Sequence, residues 1–219
     1  MRTPWLRHRS CRAMLTALCL AIACGHLRAG EVIDRIMAVV LQQPILLSDV
    51  NAALSLKLIE VPPGTGDPVA LVLDRLIERT LILGEVDRYQ PPEPATPEID
   101  SRVTQIEERA GTPEVLNRIM AATGMTQERL RQYVRDDLRL TTYLNQRFGT
   151  SAQPSDAELQ AYYREHAAEF TTNGQRQPFE AVAPAIRERL TQARRATLVS
   201  DWTASLRRRA DVTVLYVPK

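Results

Sequence analysis

Apolar and polar positions alternate with two different periods along the chain, and the change of period marks the elements. Val32–Leu41 (VIDRIMAVVL) and Ile45–Leu47 are rich in β-branched residues, and Gln42-Gln43-Pro44 lies between them. That pattern predicts a hairpin. Ser48 then predicts the N-cap of a helix from Asp49 to Ile59. Pro62–Pro68 (PPGTGDP) reads as a loop. From Val69 to Tyr89 the period is helical, with Val69, Val72, Leu73, Leu76, Ile77, Thr80 and Leu83 on one face and Leu81 and Ile82 widening it. A face that broad predicts more than one packing neighbour. Pro91-Pro92-Glu93-Pro94 ends the stretch.

Thr96-Pro97-Glu98 and Thr112-Pro113-Glu114 each read as an N-cap, a first-position proline and a first-turn acid. They predict helices over Pro97–Ala110 and Pro113–Thr123. Thr126 opens another to Phe148, with Leu130, Tyr133, Val134, Leu138, Thr141, Leu144 and Phe148 on one face and Gly149 as terminator. Ser155-Asp156-Ala157-Glu158 is a capping box for a helix through His166. Thr171–Gln177 reads as a short polar loop. Phe179–Arg209 reads as helix, its main part starting at Pro184, and Asp211–Val217 (DVTVLYV) as a final strand. A lone terminal strand needs a partner. The other strands are all N-terminal, so the two ends of the chain are expected to meet. The fold class is therefore mostly α, with a small sheet built from an N-terminal hairpin and a C-terminal strand.

Ahead of the first strand lies a different kind of segment. Met1–Arg12 carries four arginines and no acid, and Ala13–Cys24 is an uncharged apolar run of twelve. This is the pattern of a secretory signal peptide, too short for an ordinary transmembrane helix of ~20 apolar residues. Cleavage after Ala29 makes residues 1–29 the leader and predicts a periplasmic protein of residues 31–219. The alternative cut, before Cys24, partly resembles a lipoprotein box, with Ala21 where leucine is usual; Cys24 is then the candidate for lipidation.

Removing the leader changes the charge. The whole chain has 28 Lys+Arg and 26 Asp+Glu, a net +2. Arg2, Arg7, Arg9, Arg12 and Arg28 precede the first acid, so the remainder carries 23 bases against 26 acids, a net −3. That balance gives no electrostatic case for nucleic acid. Cys11, Cys19 and Cys24 all lie in the leader, and His166 is the one histidine beyond it. After cleavage at Ala29 no thiol remains for a disulfide, a nucleophile or a metal site.

Four segments occur in a familiar order: Ile33–Val50, Leu73–Tyr89, Ser155–Phe170 and Pro178–Arg195. Together they resemble the SurA-type periplasmic chaperones and foldases, which share a peptide-binding fold with trigger factor. The resemblance spans nearly all of Val32–Val217 and implies a single SurA-like domain, with a helical part at 31–170 and a C-terminal helix and strand at 178–219. In that family a parvulin-type prolyl isomerase domain of about a hundred residues usually separates the last two segments. Here only 171–177 lies between them, so the isomerase domain is expected to be absent. Parvulin sites resemble a cluster of paired histidines with Cys or Asp, which one histidine cannot supply.

The resemblance implies an ATP-independent, non-enzymatic chaperone for unfolded outer-membrane or exported polypeptides, using an apolar groove and no cofactor or metal. Adaptable side chains suit such a groove, and methionine is the most adaptable. Met37, Met120, Met125, Tyr133 and Tyr143 are the candidate peptide-binding residues, although core packing accounts for such residues equally. A scaffold subunit of an envelope assembly and a prolyl isomerase are the alternative readings. A hydrolase has little support: His166 beside Glu165 fits a histidine placed against a helix dipole. The neighbouring acids Glu107-Glu108 and Asp136-Asp137 do not face each other on a helix. Arg187, Arg189, Arg194, Arg195 and Arg207–Arg209 make the last helix basic, and attraction to acidic clients or a weak membrane-surface contact through lipid headgroups is the use they would serve beyond a solvated face.

Overall fold

The computed structural model describes residues 34–172 and 175–218. The chain divides into two units, Met1–Asp34 and Arg35–Lys219, and the fold is that of the second. The leader and Cys24 lie outside the described residues. In chain order the elements are β1 (Ile36–Val40), β2 (Gln43–Leu46), α1 (Leu47–Ser55), α2 (Pro68–Tyr89), α3 (Thr96–Ala110), α4 (Pro113–Thr123), α5 (Gln127–Phe148) and α6 (Asp156–Glu165). They continue with a 3₁₀ turn at Ala167–Phe170, β3 (Thr171–Thr172), β4 (Gln175–Arg176), α7 (Phe179–Arg209) and β5 (Val212–Val214).

The termini of this unit meet, as the isolated last strand requires. The sheet order is β2-β1-β5. β1 runs antiparallel to β5, with Ala38 opposite Val214, Val39 opposite Thr213 and Val40 opposite Val212. Past β5 the Met37 carbonyl accepts from both Leu215 N–H (2.9 Å) and Tyr216 N–H (3.1 Å). The regular strand is thus shorter than Asp211–Val217.

The hairpin turn is Leu41-Gln42, not Gln42-Gln43-Pro44. Both residues take left-handed angles, φ 49° and 65°, as the two-residue turn that matches strand twist demands. Pro44 lies inside β2 opposite Val39; on an edge strand its missing N–H need not cost a ladder bond. Tertiary contacts hold the unfavourable turn. Leu41 N–H donates to the Asp211 carbonyl at 3.1 Å, and Leu41 Cδ1 occupies the space that a side chain on Gly84 of α2 would fill.

Three helix starts follow the sequence rules and three depart from them. Thr126 Oγ1 accepts from Arg129 N–H at 3.2 Å. Ser155 and Glu158 close the capping box through Ser155 N–H to Glu158 Oε2 (2.8 Å) and Glu158 N–H to Ser155 Oγ (3.3 Å). Asp67 caps α2 by accepting from Ala70 N–H at 2.9 Å. Ser48, however, is not an N-cap: α1 starts at Leu47, where Asp49 Oδ2 accepts from Leu46 N–H at 2.9 Å. The helix stops at Ser55, since Lys57 is left-handed (φ 51°). α3 begins at Thr96 itself, after an extended Ala95. Thr112 precedes α4 without capping it, because its hydroxyl serves the Glu114 carboxylate instead. Gly149 ends α5 in a right-handed conformation, φ −56°; glycine is needed there because a Cβ would lie 2.5 Å from the Asn145 carbonyl oxygen.

Burial is organised around α2 and α5. Val72, Leu73, Leu76, Ile77 and Leu81 of α2 pack with Met37, Ala38, Val40 and Ile45 of the hairpin, with α1 and with Leu206. Ile82 and Val86 of the same helix pack with Tyr143, Leu144 and Phe148 of α5. The broad α2 face therefore has two neighbours, as its width predicts. The first half of α5, through Leu130 and Val134, joins Ala52 of α1, Leu56 just past its end, Val103 and Ile106 of α3, and Leu116 of α4. Thr141, expected on the inner face, is exposed; Arg139 and Tyr143 are buried there in its place. α7 runs unbroken through Pro184, and Val182 and Ile186 near its start bury against Leu159 of α6. The segment expected as a polar loop forms a small antiparallel pair, Thr171 opposite Arg176 and Thr172 opposite Gln175.

Candidate functional site: a groove between the hairpin and two helices

Leu76 and Leu83 of α2 and Tyr133 of α5 line one gap beside the hairpin, and that gap is the candidate site. It is a cavity of ≈ 380 Å³ lined by Gln43, Pro44 and Ile45 of β2, Asp49 and Ala53 of α1, Leu58 of the following loop, Leu76, Arg79, Thr80 and Leu83 of α2, Met125, and Arg129, Gln132, Tyr133 and Asp136 of α5. An adjoining, more polar cavity of ≈ 400 Å³ shares Gln43, Thr80, Leu83, Gln132 and Asp136 and adds Leu41, Gly84, Asp87, Arg135 and Arg139.

The apolar part is rimmed by charges that are already paired. Arg129 Nη2 lies 2.8 Å from Asp49 Oδ1 and joins the start of α5 to α1. Arg79 is largely buried, reaches Asp137 Oδ1 at 3.1 Å and donates to the Tyr133 carbonyl at 2.8 Å. Its guanidinium also sits 4.0 Å from the centroid of the Tyr133 ring, a cation–π geometry. These contacts fix that ring as a wall of the groove. Burial pushes the Tyr133 hydroxyl above its ordinary pKa, with Asp137 adding to the rise and Arg79 opposing it, so it stays neutral at physiological pH.

The polar part is an ion network between the end of α2 and the middle of α5. Arg139 Nη1 is 3.0 Å from Asp87 and 3.6 Å from Asp136. Its Nε is 3.3 Å from Glu93 Oε1, without the alignment of a hydrogen bond. Arg135 holds the same Glu93 through Nε and Nη2, at 2.7 and 2.9 Å. That bond to Arg135 lowers the Glu93 pKa and raises that of Arg135.

Only part of the sequence-derived set converges here. Met125 and Tyr133 line the groove. Met37 is in the hairpin core at 1% exposure, and Tyr143 is 3% exposed, its ring between Tyr89 and Trp202. Neither offers surface to a ligand. Met120 is half-buried beside the α3–α5 cluster. Every other lining residue, Pro44, Arg79, Leu83 and Gln132 among them, was missed by sequence reasoning. A signal existed for Arg79, a cation within the most apolar helical stretch of the chain.

No lining residue of either cavity is Ser, Cys or His, and the Thr80 hydroxyl is engaged by the Leu76 carbonyl at 2.9 Å. His166 stands elsewhere, stacked on Tyr162 at 3.8 Å with Nδ1 3.0 Å from the Tyr162 carbonyl. Asp136 and Asp137 face different partners, Arg139 and Arg79. Among the described residues no helix is long and apolar enough to cross a membrane.

No protein-family model matches the chain, and no curated protein matches it. A similar solved structure comes from a study of the virulence factor PEB4 and the periplasmic protein Cj1289, two structurally related SurA-like chaperones of Campylobacter jejuni. The match covers 83% of this chain and 99% of that one, at 11% identity and a TM-score of 0.49, a degree of likeness from which no function follows.

Proposed function

We propose that the chain is an ATP-independent periplasmic chaperone that holds unfolded outer-membrane or exported polypeptides in the groove between β2, α2 and α5, and that it has no isomerase activity. The observation that carries this reading is the groove itself. Its centre is apolar and includes an adaptable Met125, its rim charges are satisfied within the protein, and it holds no catalytic pair. A client side chain entering it loses water contact without displacing an ion pair. The order of segments resembling the SurA family and the leader-like N-terminus support the same reading.

The energetics favour weak, general capture. Burying client apolar groups contributes about 25 cal/mol per Å². Ordering a flexible chain opposes this, so dissociation constants in the micromolar range, about −8 kcal/mol at 1 μM, are expected. Leu83→Asp puts a charge in the apolar centre, and Tyr133→Ala removes a wall. Each should weaken binding of a fluorescent, urea-unfolded outer-membrane protein at least fivefold in anisotropy titrations. Unchanged affinity in both would remove the groove from the account.

A further inference from the structure

The sheet has two edges, and only one is closed to strand addition. β2 carries Pro44, which cannot donate. β5 is the other edge, and Val212–Val217 contains neither proline nor charge. The bonds Leu41 N–H to Asp211 O and Leu215 N–H to Met37 O set its register. Bonded and non-bonded pairs alternate in an antiparallel ladder. Pairs 41/211 and 37/215 are bonded, so Val212 and Val214 aim their N–H and C=O groups away from β1. The surface beside them is apolar: Val214 is 46% exposed, Leu215 48%, Val217 75% and Ile36, on the adjacent strand, 43%. These are four of the six large apolar residues found exposed in the described chain.

We infer that the outer edge of β5 takes up an extended polypeptide segment as a fourth strand, the segment alternating apolar and polar residues as a transmembrane β-strand does. Four half-exposed side chains offer on the order of 200–300 Å² of apolar surface, well below the ~800 Å² per partner of a stable protein–protein interface. That area fits a transient strand better than a second copy of the chain. The donors and acceptors of Val212 and Val214 bond to main chain alone, which gives low sequence selectivity but selects for β-competent segments. This deepens the chaperone reading and rests on it, while using a surface separate from the groove.

The test uses the chain without its leader and a fluorescein-labelled twelve-residue peptide of alternating Thr and Val flanked by lysines. Val214→Pro removes one outward donor and leaves the bonds to β1. Val214→Thr keeps the donor and the branched shape. The proline variant should weaken peptide binding at least fivefold and the threonine variant less than twofold. Should Val214→Pro fail to fold, the double variant Leu215→Lys/Val217→Lys decides, with the same fivefold loss expected because both residues are exposed. Leu83→Asp should leave peptide binding intact while lowering capture of an unfolded outer-membrane protein, which separates failure of the groove from failure of the edge. Equal affinity for the proline and threonine variants, or no loss in the lysine double variant, overturns the proposal. So does a wild-type dimer in sedimentation that Val214→Pro dissociates.

Discussion

The Tyr216 hydroxyl donates to Asp67 Oδ2 at 2.9 Å, joining residues 149 positions apart. The other oxygen of the same carboxylate accepts from Ala70 N–H at 2.9 Å and caps α2. One side chain therefore starts the central helix and anchors the tail that follows β5. The bond to Asp67 is also the main reason that the Tyr216 hydroxyl titrates above its ordinary pKa.

Asp67→Ala should lower unfolding free energy by about 2 kcal/mol, combining loss of an N-cap with loss of the tyrosine bond. Tyr216→Phe should cost about 1 kcal/mol. Urea denaturation of the double mutant should show less than the sum, with a coupling of about 0.5–1 kcal/mol. Strict additivity would mean that the bond contributes nothing in solution.

Removing Asp211–Lys219 strips β1 of one partner and uncovers the core beside the half-buried Val212 and Tyr216. The expected loss is about 2–4 kcal/mol, a drop in Tm of roughly 5–12 °C for a domain of this size. A Tm unchanged within 2 °C would contradict the pairing of β1 with β5.

Glu158 gives a pH signature. Its pKa is lowered from the ordinary 4.5 to about 2, chiefly by the backbone N–H of Ser155, then by Arg194 and the Ser155 hydroxyl. A lowered folded pKa means that the contribution is complete above about pH 5 and is lost as pH falls toward 2. An NMR titration should place the Glu158 side chain near the low value. Glu158→Gln should flatten the acid limb of the stability profile between those limits. A midpoint near 4.5 would show the capping box open in solution.

Local signals were legible and convergent ones were not. Ser155 to Glu158 is a motif four residues long, so the sequence alone carried it. The Asn173-Gly174 pair between β3 and β4 is also a hairpin signal, present in the sequence but read as loop. Leu41-Gln42 could not be read as a turn, because neither residue favours a left-handed backbone. Asp211 and the gap above Gly84, distant in sequence, hold it there. The groove depends on Ile45, Arg79, Met125 and Tyr133 arriving from separate segments. Nothing local distinguishes Met125, which lines it, from Met37, which the hairpin core buries.

The segment at 171–177 leaves no room for a parvulin domain. The purified chain should leave the cis–trans exchange of an X-Pro peptide at its uncatalysed rate, tens to hundreds of seconds at 25 °C. Acceleration proportional to protein concentration would contradict the non-enzymatic reading.

The most direct test of the central claim is light scattering from an unfolded outer-membrane protein diluted out of urea, without ATP, at low and at high salt. The groove captures apolar groups and its own charges are paired, so an equimolar to several-fold excess of the chain should suppress aggregation equally in both buffers. Capture by the arginine-rich end of α7 would weaken steeply with salt, since screening shortens the Debye length to about 3 Å at 1 M. Suppression that survives salt is the predicted result. No suppression at several-fold excess in either buffer would contradict the chaperone reading and leave a scaffold role in its place.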